Sequence, residues 1–114
     1  MLGSGALSFS WWQRAVTADA DTPQWTAVLS CEDGYGGTKT VTVSHDVVLA
    51  TARQVVGSAG KTLRTPRGSE YPAWSRTLEQ QCWRLLTDPD DADFDAPCAD
   101  ELLQLAVLGE VVFG

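Results

Sequence analysis

The sequence predicts an α+β fold: an N-terminal three-stranded antiparallel meander followed by three helices packed on one face, in the order βββααα. Two observations carry the prediction. Period-two alternation with β-branched and aromatic residues is confined to the region up to Ser44, and helical spacing of apolar residues begins only after it. Segregated strands and helices favour a small sheet with helices on one side. The 114 residues form one domain, 1–114. A chain of this size buries roughly 60–70% of the surface its unfolded state exposes, so a core can form without disulfide or metal staples.

Residues 7–16 (LSFSWWQRAV) read as the first strand, and 17–23 (TADADTP) as a turn cluster with a proline exit. In residues 24–32, Trp25, Ala27, Leu29 and Cys31 share one face of the second strand. In residues 38–44, Val41 and Val43 face one way and the threonines the other.

Between the last two strands lies DGYGGTKT, residues 33–40. A phosphate-binding loop needs Gly-Lys-Ser/Thr between a strand and a helix, so that consecutive N–H groups converge on the phosphate. Here Thr38 precedes Lys39, and the following TVTV alternates as a strand. Gly34, Gly36 and Gly37 are therefore read as hairpin-turn residues, with Tyr35 as the exposed tip.

The first helix carries Val48, Leu49, Ala52, Val55 and Val56 at helical spacing, with Ser44 or Asp46 as cap and Gly57 at its end. Residues 58–71 read as a long basic loop with a short strand or turn near 62–64. The second helix is expected to start near Pro72, which suits a first turn. Its apolar face holds Trp74, Leu78, Cys82, Leu85 and Leu86, with Arg76 and Gln80 opposite. The third helix is predicted from about Pro97 to Leu108; Leu102, Leu103, Leu105, Ala106 and Leu108 make it apolar nearly all round, so it should be buried on more than one side. Residues 110–114 fit either a short strand or a last helical turn. The five tryptophans are expected mostly in the core.

No apolar run approaches the roughly 18 residues of a membrane helix, and MLGSGALSFSWW has neither the basic start nor the apolar stretch of a signal peptide. Three widely spaced cysteines, Cys31, Cys82 and Cys98, favour a reducing cytoplasm over a secreted disulfide framework. The absence of Ile and Asn, with six Arg against two Lys, fits a GC-rich bacterial coding sequence.

The net charge of −7 is unevenly distributed: −2 over residues 1–60, +3 over 61–87 and −8 over 88–114. Within the acidic end, Asp91, Asp93 and Asp95 resemble the first half of an EF-hand loop. Ala96 then replaces the loop glycine, Pro97 follows, Leu102 stands at the twelfth position and Glu101 is one residue short. The segment is read instead as a solvated loop whose Asp95 caps the third helix, with Asp100 and Glu101 favoured by the helix dipole. Cys31, His45, Cys82 and Cys98 have zinc-ligand chemistry without ligand spacing. A Cys98–His45 nucleophile is disfavoured by the carboxylates from Asp88 to Glu101, and His45 is explained by capping or exposure. G-x-S-x-G, H-E-x-x-H and G-x-G-x-x-G do not occur.

These readings give no catalytic, metal or cofactor site. They point to a small, acidic, non-enzymatic, cytoplasmic interaction module of inhibitor, immunity or accessory type. Its expected partner is a protein with a basic surface, its contact residues are Asp88, Asp90, Asp91, Asp93 and Tyr35, and Trp12 and Trp83 are further aromatic anchors. One alternative is a small anionic-ligand-binding domain using Lys61, Arg64 and Arg67, flanked by Arg53 and Arg76. Another is a nucleic-acid or mobile-element accessory protein using the same loop, which the net negative charge disfavours. The bland reading of that loop is pairing with the protein's own segment 88–95, or simple solvation.

Overall fold

A computed structural model describes residues 5–19 and 24–113. Three strands, β1 (Trp12–Ala18), β2 (Thr26–Glu32) and β3 (Thr38–Ser44), form an antiparallel sheet in the order β1-β2-β3. The helix α1 (His45–Gly57) follows directly. The chain then makes a hairpin of β4 (Thr62–Arg64) and β5 (Glu70–Pro72), and continues into α2 (Arg76–Thr87) and α3 (Ala96–Leu108). The α+β order holds, with the small hairpin inserted between the first two helices.

Register explains which residues are buried. Leu29 pairs with Ala15 and Val41, and Ala27 with Thr17 and Val43, so one face of β2 presents Ala27, Leu29 and Cys31 to the helices. All three are fully buried. The helix α3 packs on β2 and β3, α1 packs on β3, and α2 packs chiefly on α1 and α3. A single apolar cluster joins Leu29, Val43, Val55, Leu78, Leu102 and Leu103. Beyond Trp12 every residue of β1 is exposed, so this edge strand overhangs the helical layer.

The β2–β3 turn is a hairpin, as its glycines imply. Gly34 and Gly36 have φ of 83° and 84°, which an L side chain adopts only with strain. Asp33 accepts from the N–H groups of Tyr35 and Gly37 through Oδ1, at 2.7 and 3.1 Å, and so closes the turn on itself. The N–H groups of Asp33, Tyr35 and Gly37 are used inside the turn, and Lys39 lies in β3.

Each helix starts on a side-chain cap. Ser44 Oγ accepts from Val47 N, Ser75 Oγ from Leu78 N, and Asp95 Oδ1 from Cys98 N at 2.9 Å. Ser44, not Asp46, is thus the α1 cap.

Several expectations are corrected. The first strand begins at Trp12, because residues 6–8 form a 3-10 turn and Phe9 stacks on Trp11, whose carbonyl still accepts from Glu32 N of β2 at 2.9 Å. Pro72 closes β5 rather than opening α2. A proline holds the preceding residue extended, which suits the β4–β5 ladder, and Ser75 supplies the stronger helix start. The basic loop is largely this hairpin. Of residues 110–114, residues 111–113 form neither strand nor helical turn and are tied to Gln104, and Gly114 lies outside the described residues. Most of the 17–23 turn cluster, and the first four residues, lie outside the described residues.

Candidate functional site

The acidic segment leaves α2 at Asp88, makes a 3-10 turn over Pro89–Asp91 and reaches α3 at Asp95. Pro89 cannot continue a helix hydrogen-bond ladder, and the run of aspartates repels itself, so a short exposed turn is the result. Asp88, Asp90, Asp91, Asp93 and Asp95 are all exposed. Asp95 is used as the α3 cap, and Asp91 lies 3.8 Å from Arg84. Among the described residues the carboxylates of Asp88, Asp90 and Asp93 have no partner. The backbone is nonetheless anchored, because Asp93 N donates to the buried Gln81 Oε1 at 2.7 Å.

Beside this segment Trp83 is 58% exposed, which is unusual for so large an apolar side chain. It lines a hollow of about 680 Å³ with Val56, Ala59, Arg84, Asp88 and Asp91. An exposed indole framed by carboxylates combines an apolar anchor with a charged rim.

The basic loop does not neutralise the aspartates in the way that internal pairing requires. Arg64 pairs with Glu70 across the β4–β5 hairpin at 3.5 Å, and among the described residues neither Lys61 nor Arg67 pairs with segment 88–95. Arg84, on α2 itself, is the cation that reaches it. Of the three residues of the anion-binding alternative, Lys61 lines a second depression, and Arg64 and Arg67 line neither that one nor the hollow beside Trp83.

That depression is a larger cleft of about 1120 Å³ between the β4–β5 hairpin, the start of α2, the start of α3 and the end of the chain. Phe9, Trp11 and Phe113 form a stack along it, with ring centroids 4.8 and 5.3 Å apart and planes within 6° of parallel. Glu79 lines both depressions. Its Oε1 accepts from Gly60 N at 2.8 Å and from Trp74 Nε1 at 2.9 Å, fastening the α1–β4 turn to α2. Glu101 accepts from both the N–H and the hydroxyl of Ser75, at 3.0 and 2.6 Å, and joins the starts of α2 and α3.

Beneath the cleft sits a polar hub that sequence reasoning missed. Asp100, 3% exposed, accepts at Oδ1 from the indole N–H groups of Trp11 and Trp12, both at 2.7 Å, and at Oδ2 from Gln104 Nε2 at 2.8 Å. The fully buried Gln104 accepts at Oε1 from Val112 N and Phe113 N, each at 2.9 Å, and donates to Phe113 O at 3.0 Å. One carboxylate and one amide thereby tie the first strand, α3 and the chain end together. The signal was present in the sequence: Asp100 and Gln104 stand four residues apart in an otherwise apolar helix, and buried polar residues demand partners.

Trp12 is therefore corrected: it is 8% exposed and serves the hub, not a partner. Tyr35, 86% exposed, stands at the β2–β3 turn and lines neither depression, so it is not brought together with the aspartates. Cys31, Cys82 and Cys98 are buried free thiols. Burial raises Cys98 to about 11, with Asp95 and Glu101 adding to the shift, which opposes thiolate chemistry at neutral pH. His45 is exposed at the start of α1 and does not line the cleft that Cys98 borders. Among the described residues no group of three His, Cys, Asp or Glu side chains is arranged to hold a metal ion, and no helix is long and apolar enough to cross a membrane.

The chain matches no protein-family model, no curated protein and no solved structure.

Proposed function

We propose that the protein is a non-enzymatic interaction module that binds a basic partner protein through its acidic segment, with Trp83 as the apolar anchor. The observation that carries this reading is a 58% exposed indole that lines one hollow with Asp88 and Asp91, at the start of a segment whose Asp88, Asp90 and Asp93 are unneutralised. Carboxylates needed only for the fold would be capped or paired, as Asp95 and Asp91 are. The same rim, on a chain of net charge −7, attracts a basic surface at long range and raises the encounter rate.

The experiment is affinity capture from the native host with two baits, the wild type and the variant Asp88→Asn, Asp90→Asn, Asp91→Asn, Asp93→Asn. The reading expects a basic protein retained by the first bait and lost from the second, with both baits folded. A partner retained equally by the two baits contradicts it.

A further inference from the structure

We infer that the aromatic cleft takes an extended basic segment of the partner protein, with an arginine or lysine side chain seated against the rings. The inference rests on the reading of the protein as a binder of basic partners, but it concerns a different surface from the acidic rim.

Charge complementarity is the first argument. The cleft is bordered by four carboxylates, Glu79, Asp95, Asp100 and Glu101, against two cations, Lys61 and Arg76. An anion entering it meets a net negative site on a net negative protein.

The indole chemistry is the second. Both tryptophans that line the cleft have their N–H groups committed to carboxylates, Trp11 to Asp100 at 2.7 Å and Trp74 to Glu79 at 2.9 Å. An indole has no other donor and no acceptor, and Trp74 is only 8% exposed while Trp11 is stacked against both Phe9 and Phe113, so the ring surface left for a ligand is that of the half-buried Phe9 and Phe113. Ring faces carry the negative side of the aromatic quadrupole and attract ammonium and guanidinium groups. Tyr71, 46% exposed, contributes a further ring at the mouth.

Size is the third. A volume of about 1120 Å³ lies above the roughly 300–1,000 Å³ of ordinary small-molecule pockets, and an extended peptide fills an open cleft of this kind with main chain as well as side chains. Lys61 and Arg76, both exposed, then act against the ligand and set where its positive charges cannot lie.

The test uses the five indole N–H signals of the ¹⁵N-labelled protein. The probe is a decapeptide alternating arginine and glycine, and the control alternates glutamate and glycine. The expected result is movement of the Trp11 and Trp74 signals with the arginine peptide and not with the glutamate peptide. Tyr71→Ala should weaken binding by about two- to fivefold with its melting temperature kept, as expected for loss of one exposed cation–π contact. The double variant Lys61→Ala, Arg76→Ala should bind the arginine peptide more tightly, most of all at low salt. Movement of Trp83 alone overturns the cleft inference and leaves the acidic-rim reading standing. Movement of Trp11 and Trp74 that persists in the quadruple aspartate variant, with Trp83 still, upholds the cleft and overturns the rim. Binding of the glutamate peptide that disappears in the Lys61, Arg76 double variant makes the cleft an anion site and overturns the inference, as does the absence of movement in every indole.

Discussion

Asp100 and the aspartates of residues 88–93 are the same chemical group in opposite circumstances. Asp100 is buried and accepts three hydrogen bonds from Trp11, Trp12 and Gln104. Asp88, Asp90 and Asp93 are exposed and partnerless among the described residues. The difference separates a carboxylate that specifies the fold from carboxylates that the fold carries without using. Removing the first leaves buried donors unsatisfied, whereas removing the others leaves nothing unsatisfied at all. Sequence composition counts all of them alike as acidic charge.

The comparison is sharpened first by alkaline titration, where the buried region should fail and the acidic rim should be indifferent. Burial, the largest cause in each case, raises Cys31 and Cys98 to about 11 and Cys82 to about 12 from a value of 9.0. The folded protein therefore holds these protons more tightly than the unfolded chain does. Their contribution to stability is complete below pH 9 and is lost as pH rises from 9 towards 12. Denaturant midpoints measured across that range should fall steadily. A flat profile would show that the thiols are not buried as described.

Asp100→Ala should cost about 2–4 kcal/mol, because the buried N–H groups of Trp12 and Gln104 lose their acceptor. Urea unfolding measures it, and a loss under about 1 kcal/mol would mean that water replaces the carboxylate. Cys82→Ser should cost about 1–3 kcal/mol, since the new hydroxyl lies at a fully buried site between α2 and its neighbours. Asp95→Ala should cost about 1 kcal/mol through loss of the α3 cap, with Asp95→Asn close to neutral. That pair of variants divides one acidic segment into its structural end and the remainder.

How far the sequence alone carries this account depends on the range of the interactions involved. The β2–β3 turn, the Asp95 cap and the buried face of β2 were legible, because each is decided within a few residues by φ preference, side-chain reach or alternation; the first cap was narrowed to Ser44 or Asp46, and the Ser75 cap was not read. Phe9 and Trp11 were misread as strand because their alternation was real, but Phe113, the ring that Trp11 stacks on besides Phe9, lies about a hundred residues away. Pro72 was misplaced because a proline suits a strand end as well as a helix start, and the pairing of Glu70 with Arg64 decides between them. The aspartates and Trp83 were legible as candidates, because exposure at a break between helices is a local property. The cleft and the Asp100–Gln104 hub were not, since they exist only where the two ends of the chain meet. Asp100 was credited only to the helix dipole, although a charged residue within an apolar helix was itself a sign of a buried network.

The smallest expected effect on stability belongs to the variant Asp88→Asn, Asp90→Asn, Asp91→Asn, Asp93→Asn. It should lie within about 0.5 kcal/mol of the wild type, with the lost Asp91–Arg84 pair offset by relief of like-charge repulsion.

The central claim is that the fold carries these carboxylates for contact and not for its own stability. The most direct measurement is the association rate of this quadruple variant and of the wild type with the captured partner, by stopped flow at low and high salt. A rate at least about tenfold slower is expected for the variant at low salt, with a gap that narrows as salt screens the rim, and an unchanged melting temperature. Equal rates at low salt with an unchanged melting temperature would contradict the claim.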